Sequence, residues 1–371
     1  MPLTLTTVFA DVPDPRRDTA NKVHKLTDIL VIATCAVIAG ADGWDQIAEY
    51  GRRKEGFFRR FLELPGGIPS HDTFNRVFAK LDPDAFADRF GRWMAEACEA
   101  TGLLHVAIDG KSARRSAKGT FTGCLHLVEA WAVESRLILG QRSVPGGGHE
   151  ITTVPDLLAA LDLAGAVVTL DAAFCQKAVV AQIRERGGHY LVCVKGNQKG
   201  LHGAVAGVFE RAGEAAFAGC DMASEVGAGH GRTEERYVTV VQDPEGVPSG
   251  WADVGSVARV CRERQVAGKR SEGAAWYYLT SLRVSAAELA RYIRNHWSIE
   301  NGLHWVLDVS FREDESRARA GHAGANLGTV RRVAVSLLGG ADTKGSIQTR
   351  RMKAAWDDDY MLKVLQAITT K

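Results

Sequence analysis

Cysteine is sparse in this sequence and forms no usable set. Seven occur in 371 residues: Cys35, Cys98, Cys124, Cys175, Cys193, Cys220 and Cys261. The count is odd and no CxxC pair is present, so neither a disulfide framework nor a zinc knuckle is expected. Isolated cysteines of this kind read as small buried hydrophobes. The first residues lack the basic, apolar and small-residue pattern of a secretion signal. The apolar run Ile29 to Gly40 is too short to span a bilayer, and its Thr34 and Cys35 suit a core helix. A cytoplasmic, reduced protein is the expectation. An excess of one charge is missing too, because 46 Lys and Arg face 44 Asp and Glu, a net of +2. A polyanionic partner would have to be met by local clusters. Those present are Arg52-Arg53-Lys54, Arg59-Arg60, Lys111 to Lys118, Lys269-Arg270, Arg331-Arg332, and Arg350-Arg351 with Lys353. Any one of them reads first as a solvated helix face.

What is present is an ordinary globular composition, 46% hydrophobic and 24% charged, long enough for two or three domains. Residues 1–101 read as helical. A buried helix over 28–39 ends at Gly40, and an amphipathic helix or helix pair follows over 44–61. Leu64-Pro-Gly-Gly-Ile-Pro69 breaks the pattern, and Ser70 caps a short helix over 71–81. Pro83 opens another that runs to residue 100. With His71, Asn75, Arg76 and Lys80 exposed, this region fits either a helix-turn-helix or a plain helical bundle.

From residue 103 the texture changes. Strands are expected over 103–112, over 122–133 with 136–144 as a hairpin, and over 166–170 and 189–194. Gly146 to Gly148 form a loop, and helices fall over 154–163 and 176–186. This order predicts a mixed α/β sheet. Residues 200–271 look less regular and β-rich, with strands over 233–241 and 254–265. A buried strand follows over 275–282. Ser285-Ala-Ala-Glu288 is a capping box, and the helix behind it runs to Leu307. The chain ends in helices over 326–338 and 353–368.

Three carboxylates stand out in this frame. Asp109 and Asp171 each follow an apolar strand, and active sites of such sheets lie where strand ends converge. Asp109 is followed by Gly110 and four cations, Lys111, Arg114, Arg115 and Lys118. Alone it reads equally as a solvated polar turn. Glu300 sits in the apolar company of Trp297, Ile299 and Leu303, with His296 and His304 four residues to either side. A set of this kind suits a hard divalent cation, and two such ions about 3.5–4 Å apart can clamp an in-line phosphoryl transfer. The separations, 62 residues and then 129, carry little information by themselves.

The local wording is more specific. The sequence resembles the DDE transposases of bacterial insertion sequences, in the branch that includes the H-repeat-associated proteins. The matching runs are Ala107-Ile-Asp-Gly-Lys111, Val168 to Lys177, Tyr190-Leu-Val-Cys-Val-Lys-Gly-Asn-Gln198, His230 to Arg236, and Arg294-Asn-His-Trp-Ser-Ile-Glu-Asn-Gly-Leu-His-Trp305 continuing through Val309. Phe9 to Arg17 and Pro69 to Phe74 resemble that branch's N-terminal associated domain.

The resemblance implies a ribonuclease-H-like mixed sheet with a β-rich insertion and an N-terminal all-α domain. Its segments would be residues 1–101, 102–199, 200–271 and 272–371: helical accessory or DNA-binding part, first catalytic part, insertion, and the remainder with the Glu helix. Asp109, Asp171 and Glu300 would bind two Mg2+ ions, or Mn2+, for DNA cleavage and strand transfer. Lys111, Arg114, Arg115, Lys195, Asn197, Gln198, Arg294, His296, Trp297, Asn301 and His304 would lie along the DNA. The partners would be element ends and target DNA, handled by a homodimer.

The sequence departs from related families in places. They carry Tyr and Arg seven and four residues before the Glu and Lys seven after it. Here those places hold Ile293, His296 and Leu307, with Arg294 and His304 as candidate substitutes. His149 stands where Asn is expected. Two other readings are a zinc site on His296, Glu300 and His304, which lacks the HExxH spacing, and a domesticated DNA-binding protein of the same fold.

Overall fold

The structure is a computed structural model. It describes residues 4–20, 22–99, 104–116, 124–144, 148–229, 232–266, 269–341 and 343–368. Lys118, the His230-Gly231 pair, Gly146, Gly147 and the expected strand starts at 103 and 122 lie outside the described residues.

The elements in chain order are helices α1 (Thr4–Ala10), α2 (Leu26–Ile38), α3 (Trp44–Arg53), α4 (Glu55–Phe58), α5 (His71–Lys80) and α6 (Pro83–Glu99), then strands β1 (His105–Ala113), β2 (Leu125–Ala132) and β3 (Leu137–Val144). Next come α7 (Val154–Ala159), β4 (Val167–Leu170), α8 (Lys177–Glu185), β5 (His189–Val194) and α9 (Lys199–Glu214). Strands β6 (Asp221–Gly229), β7 (Arg232–Gln242), β8 (Ser256–Val266), β9 (Lys269–Glu272) and β10 (Trp276–Thr280) precede α10 (Ala286–His296). Helices α11 (Trp305–Val309), α12 (Ala323–Gly340), α13 (Ile347–Trp356) and α14 (Asp358–Gln366) close the chain. Among the described residues no helix is long and apolar enough to cross a membrane.

These elements form two compact units. One comprises residues 1–102, 110–161 and 299–371, and the other residues 103–109 and 162–298. In the first, the fully buried α2 packs on α12, which also contacts α5 and α6, while α6 lies on β3. The N-terminal helices therefore share a core with β2, β3 and the C-terminal helices. Asn326 ties them together by donating from Nδ2 to the carbonyls of Phe78 and Leu81, both at 2.8 Å.

In the second unit β1 and β5 flank β4, both parallel to it, and β10, β8, β7 and β6 continue antiparallel from β5. This is a mixed sheet. The short, wholly buried β4 reads as a continuous apolar run, as a parallel strand covered on both faces should. Helix α10 packs its Ala286, Leu289, Ala290 and Ile293 against Val167, Val238 and Val240.

Two expectations differ from the fold. Residues 200–271 begin with the 16-residue helix α9, hidden from a pattern search by Gly200, Gly203, Gly207 and Gly213. The strands that follow extend the sheet from β10. The helix expected through Leu307 stops at His296, and Glu300–His304 is a π-helical turn before α11. Gly302 lies inside that turn, and a Cβ there would stand 3.4 Å from the Trp131 ring.

Candidate active site

Strand β1 opens with fully buried His105, Val106, Ala107 and Ile108, and β4 is buried throughout. They pair in parallel, with Ile108 opposite Leu170. Asp109 and Asp171 are the next residues on each strand. Neighbouring strands lie about 4.8 Å apart, so the two carboxylates leave the sheet side by side. Both are half-buried. The Lys195 ammonium stands 3.2 Å from Asp171 Oδ1 and above the Trp276 ring, 4.9 Å from its centroid. Asn197 Nδ2 donates to the Ala172 carbonyl at 2.7 Å and Gln198 Nε2 to that of Cys175 at 2.8 Å. These two side chains fix the loop that carries Asp171.

A directed hydrogen-bond chain runs behind the loop. His105 Nε2 lies 2.8 Å from Thr169 Oγ1, which is 2.9 Å from His296 Nδ1. His105 Nδ1 is buried without a partner. A lone pair is less costly to strand there than an N–H, which places the His105 proton on Nε2. Thr169 then passes its own hydrogen to His296 Nδ1, leaving Nε2 as the protonated nitrogen of that ring. Burial above all, with His296 and Arg291 close by, pushes His105 down to about 3. His296 and Trp297 line a depression with Thr169, Asp171, Cys193 and Trp276. Trp297 is exposed and meets Trp276 edge-on at 6.0 Å, and Arg294 Nη1 donates to Glu225 Oε2 at 2.8 Å. Burial pushes the Cys175 and Cys193 thiols up to about 12, so neither is a nucleophile at neutral pH.

In the other unit, Glu300 opens the π-helical turn with half of its side chain exposed, and Oε2 lies 3.6 Å from His304 Nδ1. His304 is buried, and its Nε2 meets Glu129 Oε2 at 2.9 Å. Arg332 Nε donates to Glu129 Oε1 at 2.5 Å and Nη1 to Glu313 Oε1 at 2.7 Å. Its Nη2 bonds both carboxylates. Burial raises the Glu129 carboxyl, but Arg332 and the His304 hydrogen bond outweigh it and hold the group at about 2. Arg331, also buried, has Nη1 3.9 Å from Glu313 Oε1.

The basic turn after Asp109 is more engaged than its sequence suggested. Lys111 is 8% exposed and pairs with Asp308 at 2.6 Å. Arg114 is exposed and pairs with Asp314 at 3.3 Å, while the Arg115 carbonyl accepts from Arg319 Nη2 at 2.7 Å. Asn301 is exposed. A Cβ at Gly110 would stand 2.6 Å from the Glu150 carboxylate atoms, so that side chain would have to swing aside for any larger residue.

Sequence reasoning missed Thr169, His105, Glu129, Glu313 and Arg332. A signal existed in Glu129, a carboxylate inside the apolar run Leu127 to Ala132, which needs a buried cation. In sequence Arg331-Arg332 reads as a solvated pair, yet both sit inside the apolar α12 at 2% and 1% exposure. Carboxylate oxygens such as those of Asp109 and Asp171 suit Mg2+ or Mn2+ rather than a thiolate-bound metal.

The family description "Transposase DDE domain" matches residues 100–328, and "DDE_Tnp_1-associated" matches residues 6–94. The chain is 37% identical to "Putative transposase YncI" of Escherichia coli O157:H7 over 95% of this chain and 92% of that one. It is 34% identical to "H repeat-associated putative transposase YhhI" of Escherichia coli strain K12 over 95% of each. A protein from Xanthobacter autotrophicus described only as lying in the dhlA 3' region is 44% identical over 71% of this chain and 90% of that one. A solved piggyBac transposase synaptic complex with hairpin DNA is similar at a TM-score of 0.41 and 9% identity, over 99% of this chain and 76% of that one. The chain belongs to the transposase DDE domain family, beside relatives named for H repeats.

Proposed function

We propose that the protein is a cytoplasmic, metal-dependent transposase with a ribonuclease-H-like catalytic part. It cuts and rejoins DNA strands at insertion-sequence ends by in-line phosphoryl transfer. The observation that carries this reading is the parallel register of β1 and β4, which sets Asp109 beside Asp171. With Glu300 they are the carboxylates that would hold the divalent cations. Bound there, a pair of Mg2+ or Mn2+ ions would supply activation of the attacking oxygen and charge neutralisation at the departing one.

The chain's own groups do the rest. The Lys195 ammonium, paired with Asp171 Oδ1, orients that carboxylate. Exposed Arg114, Arg115, Lys195, Arg294, Trp297 and Asn301 meet the DNA, where phosphate contacts set register without reading sequence. His296 offers the Nε2–H fixed by Thr169 to a phosphate oxygen. Lys111, Asn197, Gln198 and His304 hold the loops and turns on which those contacts depend. Residues 1–101 serve as the accessory DNA-binding part, and two copies act on paired ends.

Terminal inverted repeats, identified in the DNA flanking the gene, make the substrate. The purified full chain should nick them at the element boundary with Mg2+ or Mn2+ and stop when EDTA is added. Binding that survives EDTA, with no cleavage in either metal, overturns the enzyme and favours a domesticated DNA-binding protein.

A further inference from the structure

The His304 imidazole is buried and stands beside Glu300 on one π-helical turn. Its neighbours decide which nitrogen carries the proton. Glu129 is fully buried and already takes two bonds from Arg332, so it is an ionised, acceptor-only partner. Nε2 must therefore donate to it across the 2.9 Å contact. Nδ1 faces Glu300 Oε2 at 3.6 Å. A divalent cation seated on both atoms would take the place of any proton there, since a ligating imidazole nitrogen must be unprotonated. A carboxylate behind an imidazole whose other nitrogen faces a metal is a recurring way of orienting a metal-binding histidine. The π-helical turn brings Glu300 and His304 into this relation, and π-bulges are frequent at functional sites.

We infer that His304 is a nitrogen ligand of the divalent cation held by Glu300, aimed by Glu129. This rests on the carboxylate reading above and adds to it a softer donor, which favours Mn2+ over Mg2+ relative to an all-oxygen site.

Pulsed electron paramagnetic resonance of Mn2+ bound to the full chain tests it. The expected result is a directly coordinated 14N coupling that disappears in His304→Gln, with Mn2+ dissociation about tenfold or more weaker. The Mn2+ to Mg2+ affinity ratio should fall in the same variant. Glu129→Gln keeps the imidazole, so the nitrogen coupling should persist while affinity drops. If His304→Gln fails to fold, 15N-histidine labelling of the unaltered protein serves instead, and the coupling should change to that of 15N. Mn2+ bound without nitrogen coupling, or with coupling unchanged in His304→Gln, overturns the inference. If Mn2+ binding in that case still weakens in Asp109→Ala and Asp171→Ala, the carboxylate reading survives. Affinity untouched by both alanine substitutions removes that reading as well.

Discussion

Gly110 shows how one side chain, or its lack, shapes the surroundings of Asp109. Its hydrogen leaves room for the Glu150 carboxylate, which would stand 2.6 Å from a Cβ. Gly110→Ala should cost no more than about 1 kcal/mol in urea unfolding, because that carboxylate is the end of a flexible, partly exposed side chain that can swing aside. Adding Glu150→Ala should recover part of that loss, because the two changes share one contact. Additive losses would contradict the clash. Asp109→Ala, Asp171→Ala and Glu300→Ala should each bring DNA cleavage to background with circular dichroism unchanged. Near-normal cleavage in any of them would remove that residue from the metal site. Asp109 and Asp171 were legible in the sequence because a charge directly after an apolar strand is conspicuous. Glu129 was not, since its cation, Arg332, comes 203 residues later.

At the scale of elements, β1, β4 and α10 are joined by the His105–Thr169–His296 chain. Thr169→Val keeps the volume but strands both imidazole nitrogens. It should cost about 1–3 kcal/mol and lower cleavage more than DNA affinity. Equal losses in both would place His296 in binding alone. His105 is held neutral in the fold at about 3, whereas an unfolded histidine titrates near its ordinary value of 6.5. Below that value the unfolded chain gains a proton that the folded one refuses. Stability from this group is complete above pH 6.5 and is lost progressively as pH falls toward 3, by at most about 1.4 kcal/mol per pH unit. His105→Asn should show a shallower fall in urea midpoint between pH 7 and 5 than the unaltered protein. Parallel curves would place the pH dependence elsewhere. The capping box at Ser285 was readable from local sequence, and Ser285 Oγ accepts from the Glu288 amide at 3.2 Å. The π-helical turn was not, because helix periodicity does not announce where one extra residue enters a turn.

Across the whole molecule, residues 1–101 resemble a separate domain in sequence but pack in the same compact unit as β2, β3 and α12. Arg351 Nη2 donates to the Val37 carbonyl at 2.8 Å, and Lys54 pairs with Asp358 at 2.7 Å. A chain beginning at residue 102 should lose its near-ultraviolet circular dichroism and aggregate, since α12 would expose the face it buries against α2, α5 and α6. A soluble truncation with sharp unfolding would show that the helices are dispensable for folding.

Local order was determined by the sequence alone: the strands that end in Asp109 and Asp171, the caps at Ser70 and Ser285, and the helical termini of the chain. Each depends on neighbours within one or two turns or along one strand, where periodicity and capping act. The partners of buried charges were decided only by the tertiary structure. Glu129 finds Arg332 and His304, Lys111 finds Asp308, and Thr169 finds two imidazoles. A buried ion needs a counter-charge at contact distance, and which distant residue supplies it is set by how the elements pack, a relation no local pattern encodes.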